Sequence, residues 1–401
     1  MASKLLITLT VPVLLGAFLV ISPSGFEELR RELSSYLDLV TGANNIDCTV
    51  IPMSELRGVV FIDNVLSIKE RGGAFQPPSD YVSESMRHIK MNKMNLVRVP
   101  IHWESYVNNS AAFMNEVEIV TRAAQANGIC VIFDNQHWYT TSYWGIKKLG
   151  DVDGRGFPSF VMKDFALVPS DDDYRSTAAP FWAAFLRNEI SVDGEKVWDL
   201  QLKFFEKVIA KVDKYDNVVG YEILNEPHVF NASQYEELGN YHTYMAKGIR
   251  EVSDKRIIFD RETANGFERV PSLEYKIVPR NVSGLVYSPH LYTAPFQHSQ
   301  GEVQISNFKK WSDQWGVEVY VGEWSARTQE ETDEYLTSFR ENGFGWTYHS
   351  WRPFESRGLG VSLYDTSWTQ PTEGLRQLAD SVDRIYIIPV ETSSVASASA
   401  R

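Results

Sequence analysis

Two glutamates each close an apolar run: Glu226 in Tyr221-Glu222-Ile223-Leu224-Asn225-Glu226, and Glu323 in Val319-Tyr320-Val321-Gly322-Glu323. An apolar run that ends in an acid reads as a buried strand delivering one charged side chain at its tip. Two carboxyl groups facing each other across a bond are what glycoside hydrolysis needs. One protonates the leaving oxygen, and the other attacks the anomeric carbon or activates water. The competing reading of each is a surface glutamate or a structural salt bridge. Asn225-Glu226-Pro227 alone is a weak signal, and the two strand-end acids together are a stronger one. Polar and aromatic residues also follow other apolar runs, at His102-Trp103-Glu104, Asn135-Gln136-His137-Trp138 and Trp351-Arg352-Pro353.

These residues need a frame that puts strand ends together. Short β-branched runs at 57–62, 96–100, 129–134, 218–224, 256–260, 284–288, 317–321 and 345–350 read as strands. Most are continuous rather than alternating, as expected for parallel strands covered on both faces. Amphipathic stretches lie between them. In the clearest, 233–253, Ser233 and Glu236 have capping-box spacing, and Tyr235, Leu238, His242, Met245, Ile249 and Val252 recur at steps of three and four. His242 belongs to that stripe rather than to a ligand set. A second helix at 111–126 runs into Asn127-Gly128, a left-handed cap before the next strand. Eight β-then-α units predict an α/β fold, the (β/α)8 TIM barrel, with chemistry at the C-terminal ends of the strands. The fourth and seventh strands face each other across such a barrel, so Glu226 and Glu323 converge over its axis.

With these segments in place, the chain resembles glycoside hydrolase family 5, the cellulase family, over essentially the whole barrel. The matching segments are Arg98 on strand two, Asn225-Glu226-Pro227 on strand four, His290 and Tyr292 on strand six, Gly322-Glu323 on strand seven and Trp351 on strand eight. The run from Trp346 to Pro353 looks most like the endoglucanase branch. The resemblance implies double displacement with retention, with Glu226 as acid/base and Glu323 as nucleophile, kept ionised by Arg98 and Tyr292. It implies that Asn225 binds the sugar 2-hydroxyl, that His290 and His137 position the sugar and the carboxylates, and that Trp351 forms an apolar floor. Trp351 also has a core reading, as an aromatic at a strand end. One departure stands out: the family usually places a histidine two residues after the aspartate closing strand three, whereas Asp134 is followed by Asn135-Gln136. Either a bulge brings His137 into place or Gln136 takes the role; we assign His137. Trp103, Trp138 and Trp144 are candidates for neighbouring subsites.

Composition narrows the remaining classes. The chain has 401 residues, and 39 Lys and Arg against 52 Asp and Glu leave a net charge of −13. An acidic chain repels phosphate, so no nucleic-acid partner is expected. Aromatic residues make up 13%, which suits a large core and equally a groove that stacks flat ligands. No GxGxxG follows a strand, and no P-loop, CxxC pair or HExxH occurs, so no cofactor and no metal are expected. Only Cys48 and Cys130 occur; Cys130 lies in an apolar run and reads as a buried strand residue, and a bridge between the two is not expected.

Residues 5–21 are an uncharged apolar run, so 1–24 is either a cleaved signal peptide or an N-terminal membrane anchor. Either way the chain is expected to be secreted or anchored at the outer cell surface. Residues 25–54 form an N-terminal extension, 55–386 the catalytic barrel and 387–401 a flexible tail. Sequons at Asn108, Asn231 and Asn281 fit an exported glycoprotein or arise by chance. The expected partner is a polysaccharide substrate, and a monomer is expected. The substrate reading is endo-β-1,4-glucan. Its alternatives are β-mannan, β-1,3-glucan, a glycosylated lipid, or a barrel that binds polysaccharide without cutting it.

Overall fold

All eight apolar runs form strands, and each pairs in parallel with its neighbours. The computed structural model describes residues 46–61, 81–137, 156–165, 174–261, 263–264, 271–292, 301–326, 328–351 and 372–387. The apolar run 5–21, the tail beyond 387, Trp138 and Trp144 lie outside the described residues. The strands are β1 (Arg57–Phe61), β2 (Leu96–Ile101), β3 (Cys130–Asn135), β4 (Val218–Glu222), β5 (Arg256–Asp260), β6 (Leu285–Ser288), β7 (Glu318–Ser325) and β8 (Gly345–Trp351). They pair in sequence order, and β8 returns to β1 through Arg57↔Trp346 and Val59↔Tyr348. The result is a closed eight-stranded parallel barrel of the (β/α)8 type. Every residue of β2 and β3 is buried, which is why their apolar residues do not alternate with polar ones; the charged side chains on them are Arg98 and, near the end of β3, Asp134.

Around the barrel run α1 (Tyr81–Met91), α2 (Ser110–Ala126), α3 (Tyr174–Leu186), α4 (Val197–Val212), α5 (Gln234–Val252), α6 (Gly301–Trp315), α7 (Gln329–Asn342) and α8 (Glu373–Val382). The described part of the crossover from β5 to β6 includes a 3-10 helix, Pro271–Ile277. Asn109 caps α2 by accepting the N–H of Ala112 at 3.1 Å, and Gly128 leaves it with φ of 61°. The capping box expected at Ser233 does not form. Ser233 donates its hydroxyl to Asn231 Oδ1 at 2.6 Å, and Glu236 pairs with Arg280 across 2.7 Å. His242 is buried in the α5 stripe with Nδ1 2.8 Å from the Ile277 carbonyl, and burial pulls its pKa down to about 4.

The inner core of the barrel contains Leu96, Cys130, Ile132, Val219, Ile258, Val286 and Tyr320. Residues from Ile46 onward close it from below: Cys48, Met53 and Leu56 are fully buried in that cluster. Arg256 Nη2 donates to the Ile51 carbonyl at 2.7 Å, and the Met53 N–H donates to Glu318 Oε1 at 3.1 Å. Contrary to the expectation from spacing, Cys48 and Cys130 form a disulfide, with Cα atoms 5.7 Å apart. Cys130 is the first residue of β3, so its thiol faces the barrel base, where the Cys48 segment packs. The bridge spans 82 residues of sequence. Its removal by Cys48→Ser is expected to cost about 2–4 kcal/mol. Chemical denaturation with and without reductant checks this; an unchanged midpoint would show that the bridge adds no stability.

Candidate active site

Strand alternation decides which side chains reach the barrel axis. On β2 the axial residue is Arg98, fully buried. Its Nε and Nη2 donate to the two oxygens of Glu222 at 2.7 and 2.8 Å, its Nη1 to Glu323 Oε1 at 2.6 Å, and its Nη2 also to Asn225 Oδ1 at 3.0 Å. Asp134 Oδ2 lies 3.2 Å from the same Nη2. Burial opposes the charge, but Asp134, Glu222 and Glu323 outweigh it and hold the guanidinium well above its usual pKa. One planar fork therefore ties the tips of β3, β4 and β7 together.

Glu323 sits where the sequence needs a glycine before it. A Cβ on Gly322 would fall 2.3 Å from Ser288 Oγ and 3.1 Å from His290 Nε2. A short strand, His290–Tyr292, pairs with the end of β7 in the register His290↔Glu323, which lays both family residues of strand six beside that carboxylate. Glu323 Oε2 accepts the Tyr292 hydroxyl and lies 3.8 Å from both His290 Nδ1 and His349 Nε2. Burial alone would raise the carboxyl's pKa. His290, His349, Arg98 and the Tyr292 hydroxyl outweigh it and hold the group well below the usual carboxylate range. Burial, with Glu323 and Glu226 adding to it, pushes the Tyr292 phenol well up, so it stays a donor.

Glu226 follows β4 with φ of 42°, a left-handed conformation costing a non-glycine residue about 1–3 kcal/mol. Its Oε1 is 2.9 Å from His290 Nδ1, and its side chain is 21% exposed, against 6% for Glu323. An oxygen of Glu226, a nitrogen of His290 and an oxygen of Glu323 all lie within 4.8 Å of one another. Burial works against the imidazolium, but Asp260, Glu323 and Glu226 push the His290 pKa up to about 10. His290 is thus a fixed cation between the acids across the neutral range. Glu222, Asp260 and His290 form a second close triplet.

The structure brings Arg98, Asn225, Glu226, His290, Tyr292 and Glu323 into one network. It does not bring in His137. Cys130, Ile132 and Asp134 point to the axis, so alternation puts Gln136 on that side and His137 on the outer one. There the His137 ring packs 4.9 Å from Trp182 and 5.4 Å from Phe157, and burial pulls its pKa well down. Trp351 is likewise turned away: it is fully buried and donates Nε1 to Ser85 of α1 at 3.0 Å, which favours its core reading. The strand-eight side chain that meets the carboxylates is His349, 22% exposed, with its ring 5.9 Å from that of Tyr292. Trp103 is a core residue among Phe157, Phe160 and Phe204. Sequence reading missed Asp134, Asp260 and His349. The available signal was alternation: each is an acid or imidazole on an axial position near a strand's C-terminal end.

A closed parallel barrel with paired strand-end carboxylates is the framework of a barrel glycoside hydrolase. The chain belongs to the cellulase family, glycosyl hydrolase family 5, whose model matches residues 73–355. In fold it is similar to an endogalactoceramidase, with a TM-score of 0.65 at 17% identity over 82% of this chain and 80% of that one. It is similar also to endo-glycoceramidase II from Rhodococcus sp., with a TM-score of 0.59 at 19% identity over 81% and 78%. A Pseudomonas stutzeri endoglucanase gives a TM-score of 0.56 at 14% identity over 82% and 94%. No protein of curated function matches the chain in sequence.

Proposed function

We propose that the protein is a retaining β-glycoside hydrolase that cleaves β-linked glycan, with β-1,4-glucan as the first substrate to expect. The observation that carries this is the approach of Glu226 and Glu323 around one histidine, with an oxygen from each inside a 4.8 Å group. Retaining enzymes hold their carboxyl groups about 5–5.5 Å apart, whereas inverting ones leave about 6.5–9.5 Å for a water. In the first step the Glu323 carboxylate attacks the anomeric carbon while Glu226 gives its proton to the departing oxygen. In the second, Glu226 takes a proton from the water that attacks the glycosyl ester, and Glu323 leaves as the carboxylate. Arg98 and Tyr292 keep the nucleophile ionised, and Asn225, held by Arg98, faces the sugar 2-hydroxyl.

A second substrate, the glycan of a glycosylated lipid, draws support from the two ceramidase-type structures of similar fold. Reducing-sugar release from carboxymethylcellulose, mannan and laminarin, beside a glycosphingolipid, separates these readings. Proton NMR of the first product is expected to show the β-anomer before mutarotation; an α-anomer would sink the double displacement. Action as a monomer, and secretion or anchoring at the outer surface, are part of the same proposal. The Cys48–Cys130 bridge supports an oxidising compartment.

A further inference from the structure

We infer that Asp260 is a positioning residue for Glu226, holding it by two separate ties, one to its main chain and one through His290. The inference rests on the reading of Glu226 as acid/base. Asp260 closes β5, the strand next to β4, and is almost fully buried. Its Oδ2 accepts the Glu226 N–H at 2.6 Å, and its Oδ1 accepts the Arg261 N–H at 2.5 Å. The same Oδ2 lies 3.4 Å from His290 Nε2, a charge contact without hydrogen-bond geometry, and the other nitrogen of that ring is 2.9 Å from Glu226 Oε1. One carboxyl group therefore grips both the backbone and the side-chain tip of Glu226.

The grip answers a need created by the chain itself. Glu226 has φ of 42°, a region that a residue with a Cβ holds only when its surroundings over-determine it. Without an acceptor for its N–H, Glu226 would relax toward negative φ, and its carboxyl would swing away from the leaving oxygen. The ring tie fixes which face of His290 meets the acid. The backbone tie acts on proton delivery to the leaving group and makes no contact with Glu323; His290 also lies 3.8 Å from Glu323 Oε2, so the larger part of the effect is expected through the backbone.

That asymmetry gives the test. The specificity constant kcat/KM of the full chain is measured on two substrates with the same glycone, chosen by the polymer comparison above. One is an unactivated oligosaccharide, whose leaving oxygen must be protonated; the other is the dinitrophenyl glycoside, whose leaving group departs unaided. Asp260→Asn keeps the size of the side chain but cannot accept two N–H bonds or offer His290 a charge. It is expected to lose about 100-fold on the oligosaccharide and less than about 3-fold on the dinitrophenyl glycoside. Equal losses on both substrates, or no loss on either, overturn the inference. Asp260→Ser, which removes both ties and leaves His290 in place beside Glu323, is expected to lose activity with the same selectivity, and its ratio decides the matter should Asp260→Asn not fold. A wild-type chain inactive on both substrates would instead remove the acid/base reading of Glu226, and the inference with it.

Discussion

Glu323→Gln is expected to lower kcat/KM by at least about 10^4-fold, some 5.5 kcal/mol of transition-state stabilisation, while leaving the barrel folded. The amide is nearly isosteric, so it still accepts one hydrogen bond from Arg98 or Tyr292, and Arg98 keeps Glu222 and Asp134 as ionic partners. What it cannot do is form the glycosyl ester. The loss should appear in kcat as much as in kcat/KM, because the interaction removed exists only on the reaction path. Substrate binding measured directly, by calorimetry on an oligosaccharide, should persist. Turnover within tenfold of wild type would remove Glu323 as the nucleophile and pass that role to another carboxylate.

The second large effect lies one layer deeper. Arg98→Ala takes the shared cation away from Glu222, Glu323 and Asp134, all of them buried. Breaking a buried ion pair by deleting one partner typically costs about 3–5 kcal/mol, since the remaining charges are left uncompensated. The sign of the pH dependence follows from Glu323. Its folded pKa lies below the ordinary 4.5, so its contribution to stability is fully present above that value and is lost as pH falls through the depressed one. Arg98 is one source of that depression. The gap in unfolding free energy between wild type and Arg98→Ala should therefore be full at pH 7 and narrow as pH drops below about 4.5. A gap that is constant with pH would mean that the cost is one of packing, not of charge.

How much of this was legible from the residues depended on whether a feature is local. The strands were legible because burial on both faces leaves a continuous apolar run, a property of five or six consecutive residues. Glu226, Glu323 and Arg98 were legible because each is a charge beside or inside such a run. His137 was misplaced because residue type was weighed above strand alternation, and Trp351 because the register of β8 against β1 shifts between Tyr348 and Trp351, which no local pattern announces. Position 137 has the outward parity of Val131 and Phe133, and the histidine packs accordingly against Trp182. On β8 it is His349, not the tryptophan two residues on, that meets Glu323. The disulfide was not legible, because the meeting of Cys48 with Cys130 is made by the barrel base, 82 residues apart in sequence. Asp260 was passed over because an aspartate ending a strand looks like any solvated turn until its two backbone N–H donors are seen.

The packed base has a consequence for traffic through the molecule. Met53 and Leu56 press against the innermost ring of barrel side chains, and the Cys48–Cys130 bridge pins the segment that carries them. The barrel is a blind well: nothing can thread it from end to end. A long glycan must lie across the carboxylates rather than pass through, so both fragments of a cut chain have to leave on the side from which the chain arrived. The reducing-end fragment can depart while the other is still esterified to the enzyme, and an incoming sugar can then compete with water for the same opening. Such a geometry admits glycosyl transfer to a second sugar whenever acceptor is abundant.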